Sequence, residues 1–324
     1  MLLPVPAGAQ PPEPFRHPIT IYVAGTAGGG VDLYARLVSR HIGRHIPGQP
    51  IVTVQVMPGA GGIRAANYLA EQAPRDGTAI ATFAGGPVLE PLIGNRNPGY
   101  DMSHFTWIGA LTQDTGLCIA WAKTPFRTID DARKQQMVVA GTGAGSDTDT
   151  WPVVLNEVLG TRFKLVTGYL GTQETLLAME RGEAHGRCVI SHSALKTTKP
   201  EWLRDHKINV LVLTALKKTA EFSDAPTVVD LVTKEEDRSL LRLLIGPSAM
   251  ARPFVAPPKL PPSKTALLRR AFDATADDPE FRAEAAKMQA DLAPTTGEEV
   301  QTLVAGMYAT PRTVIERARR LLNP

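Results

Sequence analysis

Two groups of polar side chains have residue types that bind metal ions. His185, Cys188 and His192 could act as zinc ligands, but a single cluster without a second ligand pair is a weak zinc signature. Asp147 and Asp149 could begin a calcium loop, yet the other oxygen ligands of such a loop are missing. We therefore expect neither a metal site nor a cofactor.

The catalytic and nucleotide-binding motifs are also incomplete. The glycine turn at 25–32 lacks the Lys and the following Ser or Thr that a phosphate-binding loop requires. Residues 141–146 read GTGAGS, so Ser146 stands where a dinucleotide fingerprint has its third glycine, and helix capping is its better explanation. No GxSxG nucleophile motif occurs, and His41 and His45 lack the Glu of a zinc-protease helix. We expect no catalytic residues.

A glycine-rich turn between a strand and a helix is the feature that favours binding. Residues 19–42, ITIYVAGTAGGGVDLYARLVSRHI, change from alternating strand periodicity to helical spacing across the glycines at 25 and 28–30. Asp32 stands where a helix N-cap or first-turn acid would lie. Free N–H groups at a helix start attract anions, so we expect the anionic group of a ligand here.

The same pattern of strand, glycine turn and helix recurs along the chain. It predicts strands near 51–56, 78–83, 137–140 and 164–167, and helices that follow them, including 153–159. Alternation of this kind indicates parallel α/β sheets that bind ligands at the carboxyl ends of their strands. Later segments predict strands at 186–190, 208–213, 240–245 and 253–256, and helices at 263–276, 279–290, 298–307 and 312–322.

Composition limits the class of protein. A chain of 324 residues has room for two domains, and 43% hydrophobic with 21% charged residues is typical of a globular protein. The net charge of +3 and the dispersed Lys and Arg residues argue against nucleic acid as a partner. No apolar run reaches the roughly 20 residues of a membrane span, so we expect a soluble mature protein.

The N-terminus and the two cysteines leave alternatives open. MLLPVPAGAQPPEPF resembles the end of a secretory signal with AGA before its cleavage point, or else a disordered proline-rich tail. Both interpretations exclude residues 1–14 from the fold. Cys118 and Cys188 could form one disulfide in an oxidising compartment, but we favour two small buried side chains.

Four segments together resemble a known family. ITIYVAGTAGGGVDLYAR, VMPGAGGIRAANYLAEQAPRDGT, GTGAGSDTD and GYLGTQETLLAMERGE are similar, in order and approximate spacing, to the periplasmic solute receptors of tripartite tricarboxylate transporters, the Bug family. The likeness runs from about Pro18 to the C-terminus. Its most specific part is PGAGG at 58–62 followed by the Asp-Gly pair at 76–77.

The resemblance implies a fold and a function. The fold would be α/β and periplasmic binding protein type II-like, with two lobes, a hinge of crossing strands and a cleft that closes on a carboxylate like a Venus flytrap. We place a signal remnant or disordered tail at 1–14, lobe 1 at 15–112 plus 225–324, and lobe 2 at 113–224. The protein would be a periplasmic monomer, not an enzyme, that delivers its ligand to membrane transporter subunits.

The resemblance also assigns ligand contacts, made through backbone N–H groups, hydroxyls and water. In lobe 1 these positions are Thr26, Ala27, Gly28, Gly29 and Asp32, with Gly86 and Pro87 as further candidates. In lobe 2 they are Ser146, Asp147, Thr148, Gly171, Thr172, Gln173 and Glu174. This arrangement requires no buried cation.

Two departures from the family leave the ligand open. Many relatives have His after the lobe 2 turn, where this chain has Asp147 and Asp149; these would repel an anion unless they cap helices or bind its amino or hydroxyl groups. Arg187 could bind a carboxylate directly, although a surface ion pair is its more ordinary role. A dicarboxylate, an aromatic acid and an amino acid all stay possible.

Two other functions also stay open. One is a two-lobed enzyme for a small phosphorylated or carboxylated substrate, with Asp32 or Asp147 as its base. The other is a ligand sensor that reports to a signalling partner.

Overall fold

The computed structural model describes residues 15, 17–25, 27–94, 98–143 and 146–322, so the tail predicted at 1–14 lies outside the described residues. The first elements are β1 (Ile19–Val23), α1 (Gly30–His41), β2 (Val52–Val56), α2 (Ile63–Glu71), β3 (Ala79–Thr82), α3 (Gly86–Ile93), β4 (Thr106–Thr112), β5 (Gly116–Trp121), α4 (Ile129–Lys134), β6 (Met137–Ala140) and α5 (Asp147–Leu159). They are followed by β7 (Phe163–Val166), α6 (Thr172–Arg181), β8 (Gly186–Ser191), α7 (His192–Thr198), α8 (Pro200–Arg204), β9 (Ile208–Thr214), α9 (Glu235–Ala249), β10 (Ala251–Ala256), α10 (Pro262–Asp277), α11 (Pro279–Lys287), β11 (Thr295–Thr296), α12 (Gly297–Tyr308) and α13 (Arg312–Leu322).

The first of two compact units is built on a six-stranded sheet in the order β11-β4-β10-β3-β1-β2. It comprises the described residues of Met1–Pro87, Pro98–Leu111 and Arg252–Thr302. β1 runs parallel to β2 and β3, while β10 is antiparallel to β3. The alternation predicted for β1 is confirmed, because its three aliphatic residues are fully buried and the two between them are half-buried.

The second unit is built on a five-stranded sheet in the order β7-β6-β8-β5-β9. It comprises the described residues of Val88–Asn97, Thr112–Ala251 and Leu303–Pro324. β8 lies in the middle, parallel to β6 and antiparallel to β5. Gly186 makes this position possible, since a Cβ there would clash with the backbone oxygen of Ile119 in β5. The sequence-based lobe boundaries, in contrast, assign 225–251 and 303–324 to lobe 1.

Residues 240–245, predicted as a strand, are part of helix α9 instead, so that prediction is wrong. A short apolar run such as LLRLLI cannot be assigned by periodicity alone. Three acidic residues in the first turn, Glu235 to Asp237, favour a helix start there. The helix buries Leu241 and Ile245 in the core of the second unit.

The other predicted elements occur with shifted ends. The strands at 186–190, 208–213 and 253–256 are confirmed as β8, β9 and β10. The helix predicted at 153–159 begins six residues earlier, where acidic residues occupy its first turn. Ser146 has the N-cap position, but its side chain makes no capping hydrogen bond. Helices α4, α7 and α8 were not predicted.

Cys118 and Cys188 form a disulfide, contrary to the preferred prediction of two free buried thiols. The strands that carry them, β5 and β8, are antiparallel neighbours, although the two cysteines are 70 residues apart in sequence. Both side chains are fully buried.

Among the helices that the structure describes, none has the length and apolar character required to cross a membrane.

Candidate functional site

A cavity of about 270 Å³ lies within the second unit. Its walls come from the first residue of β5 and the segment before it, from β8 and β9, and from helices α5, α6, α7 and α9. Its size suits a small molecule rather than a polymer. The polar and charged side chains that line it include Asp114, Asp147, Thr172, Arg187, Ser191 and Ser248.

Arg187 is the buried cation of this cavity. It lies on the central strand β8 and only 4% of its surface is exposed. Nη1 donates a hydrogen bond to Oγ1 of Thr175 (2.6 Å), and Nη2 donates one to the backbone oxygen of Val189 (3.2 Å). Its buried Nε has no hydrogen-bond partner within the described residues.

The guanidinium of Arg187 has no carboxylate partner in the part of the chain that the structure describes. The surface ion pair preferred from sequence is therefore wrong for this residue. Burial lowers the pKa of Arg187 to about 10, so the side chain is still cationic at neutral pH. A buried charge without a counterion is costly, and an anion bound in the cavity would offset that cost.

An irregularity in β8 adjoins the arginine. The pairing of β8 with β5 shifts by one residue around Cys188 and Val189, which is a β-bulge. Val189 has φ +54°, a conformation that β-branched residues rarely adopt. Its backbone oxygen is the acceptor for Nη2 of Arg187, and its side chain helps to line the cavity. The bulge therefore fixes the arginine at the cavity wall.

Asp147 places a negative charge in the same cavity. It is the first residue of α5, and its carboxylate has neither a hydrogen bond nor an ion pair with any described residue. The side chain is accessible to solvent. Desolvation by the surrounding protein nevertheless raises the pKa of Asp147. Arg187 and Asp147 thus line the same cavity without forming an ion pair with each other.

Asp149 maintains the turn rather than facing the cavity. Its Oδ1 accepts hydrogen bonds from the N–H of Gly143 (3.1 Å) and the hydroxyl of Ser146 (3.2 Å), and its Oδ2 accepts one from Thr167 Oγ1 (2.6 Å). Burial raises the pKa of Asp149, but these hydrogen bonds outweigh it and the pKa lies below its ordinary value. Gly141 leaves room for the carboxylate, since a Cβ there would clash with Oδ1.

The residues predicted as lobe 2 contacts have three different environments. Asp147, Thr172 and Arg187 line the cavity. Ser146 and Thr148 build the turn, where their hydroxyl groups lie 2.8 Å apart. The remaining three do not line the cavity: Gly171 is the N-cap of α6, while Gln173 and Glu174 are exposed in its first turn.

The residues predicted as lobe 1 contacts surround the first glycine turn and the start of α3. Ala27 and Gly28 are exposed and Gly29 is the N-cap of α1, whereas Thr26 lies outside the described residues. Gly86 and Pro87 begin α3, and Pro87 is buried. Contact of these residues with a ligand stays a prediction.

Asp32 is buried beneath that first turn. Its Oδ2 accepts hydrogen bonds from the N–H of Gly28 (2.8 Å) and from Nε of Arg36 (2.9 Å). The hydrogen bond from Arg36 is the main reason that the pKa of Asp32 is lowered. Asp32 therefore orders the turn as an ionised carboxylate.

Several residues that line the cavity could not be identified from any sequence motif. Asp114, Trp151, Ser191, Thr214 and Ser248 come from five different elements or loops. Only the folded sheet brings them together.

The cluster at 185–192 that was considered as a set of metal ligands does not form a metal site. Its cysteine is in the disulfide, and Nδ1 of His185 accepts a hydrogen bond from the N–H of Val138 (3.0 Å).

Comparison with known proteins identifies the family and a relative of this chain. A family model described as "Tripartite tricarboxylate transporter family receptor" matches residues 35–319. The chain is 24% identical over 326 residues to a UPF0065 protein in the gbd 5' region of Cupriavidus necator, a match that covers 97% of this chain and 91% of that protein.

Two solved structures are similar in fold. One is a TctC solute-binding protein from Polaromonas without ligand, with a TM-score of 0.73 at 19% identity, covering 93% of this chain and 99% of that one. The other is MatC from Rhodopseudomonas palustris with bound malate, with a TM-score of 0.55 at 21% identity, covering 95% of this chain and 100% of that one. The predicted α/β fold of periplasmic solute-binding proteins is confirmed.

Proposed function

The chain belongs to the family of tripartite tricarboxylate transporter receptors, and from that premise we propose that it binds a small organic carboxylate outside the cytoplasm and delivers it to a membrane transporter of that class. Receptors of this family are periplasmic. The observation that carries the proposal is the buried guanidinium of Arg187, which lines a small cavity without a carboxylate partner among the described residues.

A ligand carboxylate would satisfy both the charge and the unpaired Nε–H of Arg187. Hydrogen bonds to charged groups contribute about 1.5–3 kcal/mol each, and the hydroxyl groups of Thr172 and Ser191 at the cavity wall would add to them. The malate bound to MatC supports a carboxylate as the ligand class. We propose the exposed turn residues Ala27 and Gly28 of the first unit as further contacts.

Asp32 does not fit the role of a catalytic base. Asp32 is engaged by Gly28 and Arg36 and its pKa is lowered, which suits a structural anion and not a base that takes a proton near neutral pH. Because the family is one of transporter receptors, we propose a receptor that is not an enzyme. The monomeric state, the lack of nucleic acid binding and the export signal stay predictions.

Thermal unfolding of ligand-free protein tests the proposal. Mono-, di- and tricarboxylates, aromatic acids and amino acids would be added in turn, because a ligand at a hundred times its Kd stabilises the fold by about 2.7 kcal/mol. We expect a selective rise in Tm that disappears in Arg187→Met and persists in Arg204→Met, a control at an exposed arginine in the same unit. A rise that persists in Arg187→Met, or no rise with any carboxylate or amino acid, would contradict the proposal.

A further inference from the structure

Two of the charged side chains that line the cavity of the second unit, Arg187 and Asp147, are opposite in sign and do not pair with each other. Arg187 and Asp147 both line it, and neither forms an ion pair within 4.0 Å with any residue that the structure describes. Arg187 is buried, so its charge is poorly solvated without a counterion, whereas Asp147 is accessible to solvent and can exchange water for a ligand cation. A cavity that separates them is suited to a ligand that contacts both.

A dicarboxylate such as the malate bound to MatC would use this arrangement poorly. A carboxylate bound at Arg187 would find a cationic partner, but a second carboxylate of the same ligand would meet the negative charge of Asp147. The carboxylate of Asp114 also lines the cavity, where its Oδ1 accepts a hydrogen bond from Ser193 Oγ (3.3 Å). Acidic side chains therefore outnumber Arg187 in the cavity wall.

Among the residues that the structure describes, none is a hydrogen-bond or ion-pair partner of the solvent-accessible Asp147 carboxylate. The neighbouring acid Asp149 is satisfied by hydroxyl and backbone donors of the turn, whereas Asp147 accepts no hydrogen bond from any described residue. Hydrogen bonds from Gly143 and from neighbouring hydroxyl groups thus account for Asp149, whereas Asp147 lines the cavity. A protonated amine of the ligand would supply the missing cation.

This inference rests on the proposed receptor function. We propose that the ligand is a small zwitterion: an amino acid whose carboxylate binds Arg187 and whose ammonium group binds Asp147. The cavity of about 270 Å³ suits a molecule of that size. Hydroxyl groups of Thr172, Ser191 and Ser248 in its wall favour an amino acid with a polar side chain.

Matched ligands that differ only in one substituent test this assignment. We would measure Kd by calorimetry on the full chain, after unfolding and refolding to remove carried-over ligand, with three series. The first series is L-aspartate with succinate and L-malate, the second is L-serine with glycerate, and the third is L-alanine with propionate and lactate. In at least one series the Kd of the amino acid should be lower than that of its amine-free analogues by a factor of about ten or more.

The variant Asp147→Asn then identifies the group responsible. It should abolish the preference for the amine, weakening the amino acid and leaving the amine-free acids equal or tighter, while the exposed control Asp205→Asn changes neither. Circular dichroism and Tm would show whether both variants fold. If Asp147→Asn does not fold, Asp147→Ser would take its place.

The outcomes separate the two proposals. Tight binding of amine-free carboxylates with no gain from the amine would overturn the zwitterion and leave the carboxylate receptor intact. An amine preference that survives in Asp147→Asn would overturn the role of Asp147. Absence of binding by every compound would overturn both proposals.

Discussion

Asp32 and Asp149 occupy the third position of a helix in different units, and each accepts a hydrogen bond from the backbone N–H of a glycine in the preceding turn. Both side chains are buried, and both have a lowered pKa. An acid at this position can reach back past the N-cap and accept a hydrogen bond from a backbone N–H of the preceding turn. The two glycine turns are therefore held in shape by carboxylates that need not contact a ligand.

Replacing Asp149 should destabilise the second unit. Asp149→Asn removes the charge that strengthens several hydrogen bonds from the turn, so we expect a loss of about 1–3 kcal/mol in the free energy of unfolding. Urea denaturation would measure this loss. Asp277→Asn, at a carboxylate that is 82% exposed, is the matched control and should change stability by less than about 0.5 kcal/mol.

The contribution of Asp149 should depend on pH in one direction. Its pKa is lower in the folded protein than the ordinary value near 3.9, so ionised Asp149 stabilises the fold above that value. The stabilisation is lost as the pH falls through the folded pKa. The difference in stability between the wild type and Asp149→Asn should accordingly be full at pH 7 and smaller at pH 3. An equal difference at both pH values would show that charge is not the cause.

Replacing Arg187 should separate ligand affinity from stability. Arg187→Met removes a buried cation that has no carboxylate partner among the described residues, so the ligand-free protein should unfold at an equal or higher urea concentration. Ligand affinity should fall about 100-fold or more, which corresponds to two lost charge-assisted hydrogen bonds. Arg187→Lys should lose most of that affinity as well, because Lys lacks the planar fork of donors. Unchanged affinity in both variants would contradict the proposed role.

The disulfide should make a large contribution to stability. It closes a loop of 70 residues, and in the chain-entropy model such a crosslink adds about 4 kcal/mol. Denaturation with and without a reductant should show this difference, with thiol titration of the unfolded chain as the readout of the bond. We expect no free thiol before reduction and two afterwards. Two free thiols in protein purified under oxidising conditions would show that the bond does not form.

The disulfide also lies next to the site. Cys188 follows Arg187 on β8, at the bulge that orients the arginine. Reduction should therefore weaken ligand binding in addition to lowering stability. A Cys118→Ala, Cys188→Ala double variant would show the same change without a reductant.

Much of the architecture followed from local patterns. Alternation in Ile19–Val23 and helical spacing after Gly30 depend on neighbours close in sequence, and both were predicted in the right place. Ser146 has the predicted N-cap position, although its side chain makes no capping hydrogen bond. The order of the glycine motifs was enough to identify the family. The short run at 240–245 was assigned wrongly because buried strands and buried helices share that apolar pattern.

The site itself was decided by tertiary structure. The sequence around Arg187 does not show that this side chain is buried, that Cys118 lies opposite its neighbour, or that a bulge turns it toward the cavity. It likewise could not separate Asp149, satisfied within its turn, from Asp147, which faces the cavity two residues away. Burial and charge pairing depend on which distant segments the sheet brings together, and a local pattern contains no information about those segments.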